Sequence, residues 1–407
     1  MEQTCIIVGA GHAGAQLAAS LRQEGWTGRI TMVGDEPWLP YNRPPLSKAY
    51  LAGEKTFDEI LIRHAEFYER QGIELVLNAS ASSIDRPHKA VVLSDGARLA
   101  YDKLALCTGA RVRRLPEDGF DNVLYLRNRN DLEALRVYLR DGARAVIIGG
   151  GYIGLEAAAV LRKFAVSVTV IEAASRVLAR VTAPELSQFY QRVHAEKGVE
   201  ILTGCAIAGL VADAKKPNLA VGLELDNGRS VDADFIVVGI GVVPNTELAE
   251  AAGLEVSGGI VTDICARTSD PDIFAAGDCT VHPVKDFGTL RLESVGNAVE
   301  QAKAAASAIC GKPRPDHSLP WFWSDQYDLK LQTAGISTGY DRIVMRGDAE
   351  ASASFAAFYL RQGRLIAADC VNRASEFLLS KKLIAEGREI APEQLADDSR
   401  PFKEIVA

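Results

Sequence analysis

The chain is predicted to be an α/β protein with two dinucleotide-binding domains and a C-terminal α+β domain. Three observations lead there. An apolar strand, a glycine-rich turn and an Ala/Leu-rich helix occur near residue 9 and again near residue 149. Each set is followed by a second strand that ends in an acid. After Pro320 the glycine pattern stops, and aromatic, strand-forming segments take over.

The first copy runs from Thr4 to Gly14, with a helix continuing through Leu21. Gly9 allows the tight turn out of the strand, and Gly11 lets backbone amides approach a pyrophosphate. Gly14 lets the helix pack on the sheet. His12, inside this loop, is read as making a local hydrogen bond to backbone or phosphate. The next strand, Ile30 to Val33, leads through Gly34 to Asp35, whose carboxylate can accept from ribose hydroxyls. The second copy repeats the scheme with Ala145 to Gly154, a helix through Leu161, and a strand from Ser167 that ends at Glu172. One such motif is weak; strand, helix and terminal acid occurring together twice form a strong signal. Glu172 accepts from a free ribose 2′-OH and repels a 2′-phosphate, which favours NADH over NADPH. Arg176, four residues on, is the group able to blur that preference.

The remaining elements follow from local pattern. Val91 to Leu93 reads as a strand turning at Ser94-Asp95-Gly96, and Val221 to Leu225 as another turning at Asp226-Asn227-Gly228. Beyond Pro320, Trp321 and Trp323 alternate as on a strand. Further strands are expected near 331–336 and 340–346, then a hairpin of Phe355 to Tyr359 and Leu365 to Asp369 turned by Gln362-Gly363, then a helix from about Ser375 to Ala385. The expected division is a discontinuous first dinucleotide-binding domain at 1–112 and 240–318, a second, NADH-binding one at 113–239, and the C-terminal domain at 319–407.

Composition narrows the partners. A net charge of −8 argues against nucleic acid but leaves room for a local basic patch. No apolar run is long enough to span a bilayer, and Met1 to Thr4 carry no basic leader, so a cytoplasmic protein is expected. None of the seven cysteines forms a Cys-x-x-Cys pair, so neither a metal site nor a dithiol motif is expected, only buried thiols.

Nearly the whole chain resembles the FAD-dependent, NADH-dependent ferredoxin reductases of bacterial monooxygenase systems, typified by putidaredoxin reductase. The motifs that carry this are Arg43-Pro44-Pro45-Leu46-Ser47-Lys48, Thr108-Gly109-Ala110, Gly149 to Glu156, Gly239 to Asn245, Ala275 to Cys279, Glu293-Ser294-Val295 and Trp321 to Tyr327. The resemblance implies two Rossmann-like domains of the glutathione-reductase type. It implies that Ala13, Asp35, Arg43, Lys48, Ala81, Arg127, Asp278 and Val295 contact FAD, together with the Gly9, Gly11, His12 and Gly14 turn, Thr108, Gly109 and Gly277. It assigns Gly149, Gly151, Tyr152, Ile153, Gly154, Glu172, Gly239, Ile240 and Gly241 to NADH. It also places Glu156 beside the nicotinamide and near Lys48, and Trp323 at the flavin edge on the ferredoxin side, which makes these three the candidate catalytic residues.

The expected chemistry is hydride transfer from NADH to FAD, with the protein supplying orientation and charge. Disulfide reductases of this broad fold pass the electrons to a cysteine pair after the first helix, and related oxidases use a single cysteine there. Asn42 to Leu51 contains no cysteine, so electrons are expected to leave directly to an external carrier, which the resemblance implies is a [2Fe–2S] ferredoxin that takes them singly. Docking candidates are Arg63, Lys303, Lys330 and Lys403; Gln332 stands where the typified relative is basic. A monomer is expected. The alternatives are a rubredoxin reductase, an NADH oxidase of the same superfamily, and, from another class, a non-enzymatic NADH-sensing interaction protein.

Overall fold

In the computed structural model, which describes residues 3–116 and 119–405, the run Cys5 to Val8 is buried throughout. A strand without polar alternation needs cover on both faces, which parallel sheets provide. Thr4–Val8 accordingly lies at the centre of a five-stranded sheet in the order Ile273–Ala275, Lys103–Leu106, Thr4–Val8, Arg29–Val33, Ile73–Val76, every pairing parallel. Helix His12–Gln23 covers it and packs along helix Val295–Ile309. Their contact is rich in alanine, including Ala18, Ala302, Ala305 and Ala306, so the two backbones approach closely.

The second copy folds the same way. Arg144–Ile148 is central in the order Val199–Thr203, Ser167–Glu172, Arg144–Ile148, Phe235–Val238, Val123–Tyr125, again all parallel. In each sheet the glycine-turn strand is flanked by the acid-ending strand on one side and a later strand on the other. The copies differ in the outermost strand beyond that later one, which follows the rest in sequence in the first sheet (Ile273–Ala275) and precedes it in the second (Val123–Tyr125).

The C-terminal segment is an antiparallel sheet in the order Trp321–Gln326, Leu329–Gly335, Arg364–Val371, Phe355–Arg361, Arg342–Arg346, followed by helix Ala374–Glu386. The hairpin turns at Gln362 and Gly363, both with positive φ, as two-residue turns that match strand twist require. The strand expected from 340 begins at Arg342, because Gly339 at φ +81° carries the chain through a turn first. The strand expected at 331–336 runs Leu329–Gly335, since the tight turn at 327–328 starts pairing earlier.

The described residues divide into two compact units: residues up to 42, 56–111 and 242–320 in one, and 43–55, 112–241 and 321 onward in the other. Six cysteines are buried and Cys310 is half-buried, all as thiols. Among the described residues no helix is long and apolar enough to cross a membrane. Met1 and Glu2, on which the expectation about the N-terminus partly rested, lie outside the described residues.

Candidate active site

In the first unit the glycine turn is dictated by close backbone approach. Gly9 sits at φ +112°, and a Cβ there would run into the Cys107 carbonyl oxygen; a Cβ at Gly14 would run into the Gly9 carbonyl. At Gly11, by contrast, a Cβ would meet nothing within 4 Å. The start of helix His12–Gln23 is therefore open to a ligand at the point where its first amides are unsatisfied. His12 is half-buried there, Ala13 is buried, and Asp35 is exposed just past the strand Arg29–Val33. A Cβ at Gly277 would lie 3.2 Å from that of Ala13, so the Gly277-Asp278 loop reaches the same helix start. Gln301, 2% exposed, holds this loop: its Oε1 accepts from Gly277 N at 2.7 Å and from Thr280 Oγ1 at 2.9 Å. Its Nε2 has no partner among the described residues, which is a buried donor available to a ligand oxygen. Thr108 and Asn245 exchange two hydrogen bonds, of 2.7 and 2.8 Å, and so fix the turn at Gly109. Val295 opens a helix capped by Ser294, and Ala81 begins the strand Ala81–Asp85. This set of donors, open glycine and strand-end acid fits a dinucleotide such as FAD.

In the second unit Gly149, at φ +106°, is held against the Gly239 carbonyl, which joins the turn to Gly239-Ile240-Gly241. Gly151 is open in the way Gly11 is, and Gly154 abuts the Gly149 carbonyl. Glu172 is clamped: Gly150 N and Ala174 N each donate to its carboxylate at 2.8 Å. Arg176 is occupied elsewhere, donating to Ser187 Oγ at 2.6 Å and to the Ala179 carbonyl at 3.1 Å. Ile153 is exposed on the first helical turn. The Tyr152 ring packs on Phe322 at 4.7 Å, and burial pushes its hydroxyl, hydrogen-bonded with Thr333, well up from its usual pKa. These residues fit a second dinucleotide of the NADH type.

Segment 43–55 lies in the same unit. Pro44 and Pro45 preset a short 3₁₀ turn, Pro44–Ser47, which delivers Ser47 and Lys48 onto helix Tyr152–Lys163. Lys48 Nζ stands 2.6 Å from Glu156 Oε2. Ser47 Oγ donates to the same oxygen at 2.6 Å, and Ser324 Oγ donates to Oε1 at 2.7 Å. Glu156 is 3% exposed, so its charge is held by three donors rather than by water. Removing one partner of such a buried pair typically costs about 3–5 kcal/mol. Arg43 Nη1 donates to the Arg127 carbonyl at 2.9 Å, which joins two further expected site residues. Trp323 is half-buried and stacks on Trp321 with ring centroids 5.4 Å apart.

Residues 3–302 match the family model of pyridine nucleotide-disulphide oxidoreductases, and residues 321–406 match the reductase C-terminal model. The chain belongs to the pyridine nucleotide-disulphide oxidoreductase family. This oxidoreductase is similar to putidaredoxin reductase of Pseudomonas putida, at 45% identity over 99% of this chain and 96% of the relative. It is also similar to a rubredoxin-NAD(+) reductase of Pseudomonas putida, at 41% identity over 90% and 95% of the two chains. A crystal structure of the covalent putidaredoxin reductase–putidaredoxin complex matches it with a TM-score of 0.96 and 44% identity, over 99% of this chain and 98% of that one. As a member of this family the oxidoreductase uses FAD and NADH.

The structure brings Lys48 and Glu156 together, joins Gly277-Asp278 to Ala13, and joins Gly149 to Gly239. Of the docking candidates, Arg63 and Lys303 belong to the first unit and Lys330 and Lys403 to the second, and all are exposed. Lys303 is paired with Glu300 at 2.7 Å. Sequence reasoning missed Ser47 and Ser324 as donors to Glu156, Gly150 as the amide that fixes Glu172, and Gln301 beneath the Gly277 loop. Only Gly150 carried a signal, as the middle of three consecutive glycines.

Proposed function

We propose that the oxidoreductase is an NADH-dependent ferredoxin reductase, passing electrons from NADH through FAD one at a time to a [2Fe–2S] ferredoxin that serves a haem monooxygenase or a ring-hydroxylating oxygenase. The observation that carries this is the chemistry of segment 43–55, where Ser47 and Lys48 are spent on Glu156 and no cysteine is present to receive electrons. Full-length likeness to putidaredoxin reductase supports the same conclusion.

FAD, when bound, would supply the chemistry of hydride acceptance from NADH and release of the two electrons separately. The residues around it have these roles. The Gly9-Gly11-Gly14 turn with His12 and Ala13 binds the FAD pyrophosphate through helix-start amides. Asp35 takes the ribose, and Arg43, Ala81, Thr108, Gly109, Arg127, Gly277, Asp278 and Val295 complete the FAD contacts. Gly149 to Gly154 and Gly239 to Gly241 hold the NADH phosphates and nicotinamide side, and Glu172 takes the ribose hydroxyls. Lys48 keeps a positive charge where reduction adds negative charge, and Glu156 holds that ammonium in place. Trp323 stands at the exit side. Arg63, Lys303, Lys330 and Lys403 draw in an acidic carrier. The functional division is the discontinuous FAD domain at 1–112 and 240–318, the NADH domain at 113–239 and the C-terminal domain at 319–407, working as a cytoplasmic monomer.

The likeness to a rubredoxin reductase favours a second reading, in which the carrier is rubredoxin. NADH-driven reduction of a panel of [2Fe–2S] ferredoxins, rubredoxin, dioxygen and peroxide separates the readings. Fast turnover with at least one ferredoxin is expected. Preference for rubredoxin or oxygen overturns the carrier assignment, and slow turnover with every acceptor favours a sensor.

A further inference from the structure

Glu156 is the end of a longer chain of hydrogen bonds, all within the second unit. Ser324 Oγ donates to Glu156 Oε1 at 2.7 Å. Gln326 Nε2 donates to Ser324 Oγ at 3.2 Å. Gln326 Oε1 meets His194 Nε2 at 2.9 Å, and His194 Nδ1 meets the Tyr327 hydroxyl at 3.0 Å. Ser324, Gln326 and His194 are each no more than 1% exposed.

We infer that Tyr327, His194, Gln326 and Ser324 form a one-way hydrogen-bonded relay that holds the Glu156 carboxylate charged and oriented toward Lys48, making them positioning residues for hydride transfer. This rests on the roles given above to Lys48 and Glu156. The direction follows from what each group can give. A carboxylate only accepts, so the Ser324 proton points at Glu156 and its oxygen must accept from Gln326. The amide nitrogen of Gln326 is thereby committed, and its carbonyl is left facing His194. His194 must then carry its proton on Nε2, which leaves Nδ1 to accept from Tyr327 if the ring is neutral. Burial lowers the His194 pKa and keeps it neutral. Reversing the amide of Gln326 would set its carbonyl toward Ser324 and take that hydroxyl away from Glu156. Every donor therefore points the same way, and aligned hydrogen bonds polarise one another in a low-dielectric interior.

The relay orients charge and does not conduct protons, because an amide at Gln326 has no ready way to pass one on. Tyr327 supports the assignment independently. It occupies the first position of the two-residue turn between Gln326 and Leu329 with φ +56°, where glycine is the usual residue. That conformation is strained for a non-glycine residue, and it brings the hydroxyl to His194 Nδ1 at 3.0 Å. Other ionisable groups act on the same network: Tyr152 and Tyr190 with Glu156, Asp325 with Tyr190, and Arg162 and Lys197 with Tyr327. None of them supplies a hydrogen bond to Glu156 Oε1, which Ser324 occupies.

The test is stopped-flow reduction of the oxidised holoenzyme by NADH across pH, giving the limiting rate and the NADH Kd separately. Gln326→Glu keeps the shape of the side chain but offers an acceptor to Ser324, drawing its proton away from Glu156. About a tenfold fall in limiting rate is expected, with the acid limb of the profile moved to higher pH and the Kd unchanged, as for loss of one charge-assisted hydrogen bond. Gln326→Leu should behave similarly, and Tyr327→Phe should cost about twofold to threefold, because polarisation weakens with distance. Glu156→Gln is the reference. If it leaves the rate and profile at wild type, the reading of Lys48 and Glu156 fails. If it slows reduction while both Gln326 variants match wild type, the relay alone is overturned. A second readout needs no turnover: nitrogen-15 NMR of the six imidazoles, with His194 assigned by His194→Asn. A neutral His194 protonated on Nε2 is expected, becoming charged in Gln326→Glu. A wild-type His194 protonated on Nδ1 contradicts the relay.

Discussion

Glu172→Ala should change the choice between NADH and NADPH, and the structure sets the size of the effect. The carboxylate cannot swing away from a bound nucleotide, because Gly150 N and Ala174 N hold its two oxygens at 2.8 Å each. No neutralising contact from Arg176 offsets it, since that guanidinium is bonded to Ser187 and to the Ala179 carbonyl. A 2′-phosphate on the same ribose would bring roughly 1.5–2 negative charges to within about 4 Å. Each unit pair at that distance costs about 1 kcal/mol in water and about 4 kcal/mol near a protein surface. Taking about 2–4 kcal/mol in all for this half-buried site, discrimination against NADPH should be about 30- to 700-fold in kcat/KM. Glu172→Ala removes the repulsion and also the acceptor for the ribose hydroxyls. The NADPH value should rise about tenfold or more while the NADH value falls, the hydrogen bonds lost being worth about 1.5–3 kcal/mol. The assay is steady-state kcat/KM for both nucleotides with ferricyanide as acceptor. Equal wild-type values, or a ratio unmoved by Glu172→Ala, would refute the argument.

Three further outcomes are expected. Lys48→Ala should slow flavin reduction by NADH at least about tenfold and lower thermal stability, because it strands a buried carboxylate; stopped-flow traces at the wild-type rate would remove Lys48 from the mechanism. Ferredoxin-dependent turnover at sub-saturating carrier should fall as salt rises, and Arg63→Glu or Lys403→Glu should raise the KM for ferredoxin and flatten that dependence. Reduction of ferricyanide in the same variants serves as the control, and silent charge reversals would remove Arg63 and Lys403 from carrier docking. Burial lowers the pKa of His194 below its ordinary 6.5, so the unfolded chain binds a proton there that the folded one does not. Its contribution to stability is therefore fully present above about pH 6.5 and is lost as pH falls below that value. Melting temperature against pH should show a shallower acid decline in His194→Asn than in wild type, and identical slopes would contradict the linkage.

What could be read in the sequence was whatever depended on neighbours along the chain. Gly9, Gly11, Gly14 and Asp35 satisfy requirements met within one strand–turn–helix–strand unit, and their repetition at Gly149 to Glu172 announced a second parallel sheet built around the same unit. The hairpin at Gln362-Gly363 was legible for the same reason. Lys48 and Glu156 lie 108 positions apart, and only family resemblance suggested that they meet. Ser324 is further away, 168 positions from Glu156, and a serine on a strand gives no hint that its hydroxyl is committed. Gln301 looks like any polar residue in a helix until the Gly277 loop is seen resting on it. The positive φ of Tyr327 was hidden because nothing local marks an aromatic residue as a turn position.

The central claim is that electrons enter from NADH and leave the flavin directly to a one-electron carrier, without a thiol. The cysteines are poor relays: burial raises the Cys5 thiol to about 12 and pushes Cys107, Cys279 and Cys370 up as well. The decisive measurement is an anaerobic titration of the holoenzyme with NADH after thiol alkylation, followed by stepwise addition of oxidised [2Fe–2S] ferredoxin. One NADH should bleach each flavin, and two ferredoxins should restore it, at the rate seen without alkylation. A flavin that alkylated protein can no longer pass on to ferredoxin, despite retaining its FAD, would contradict the account.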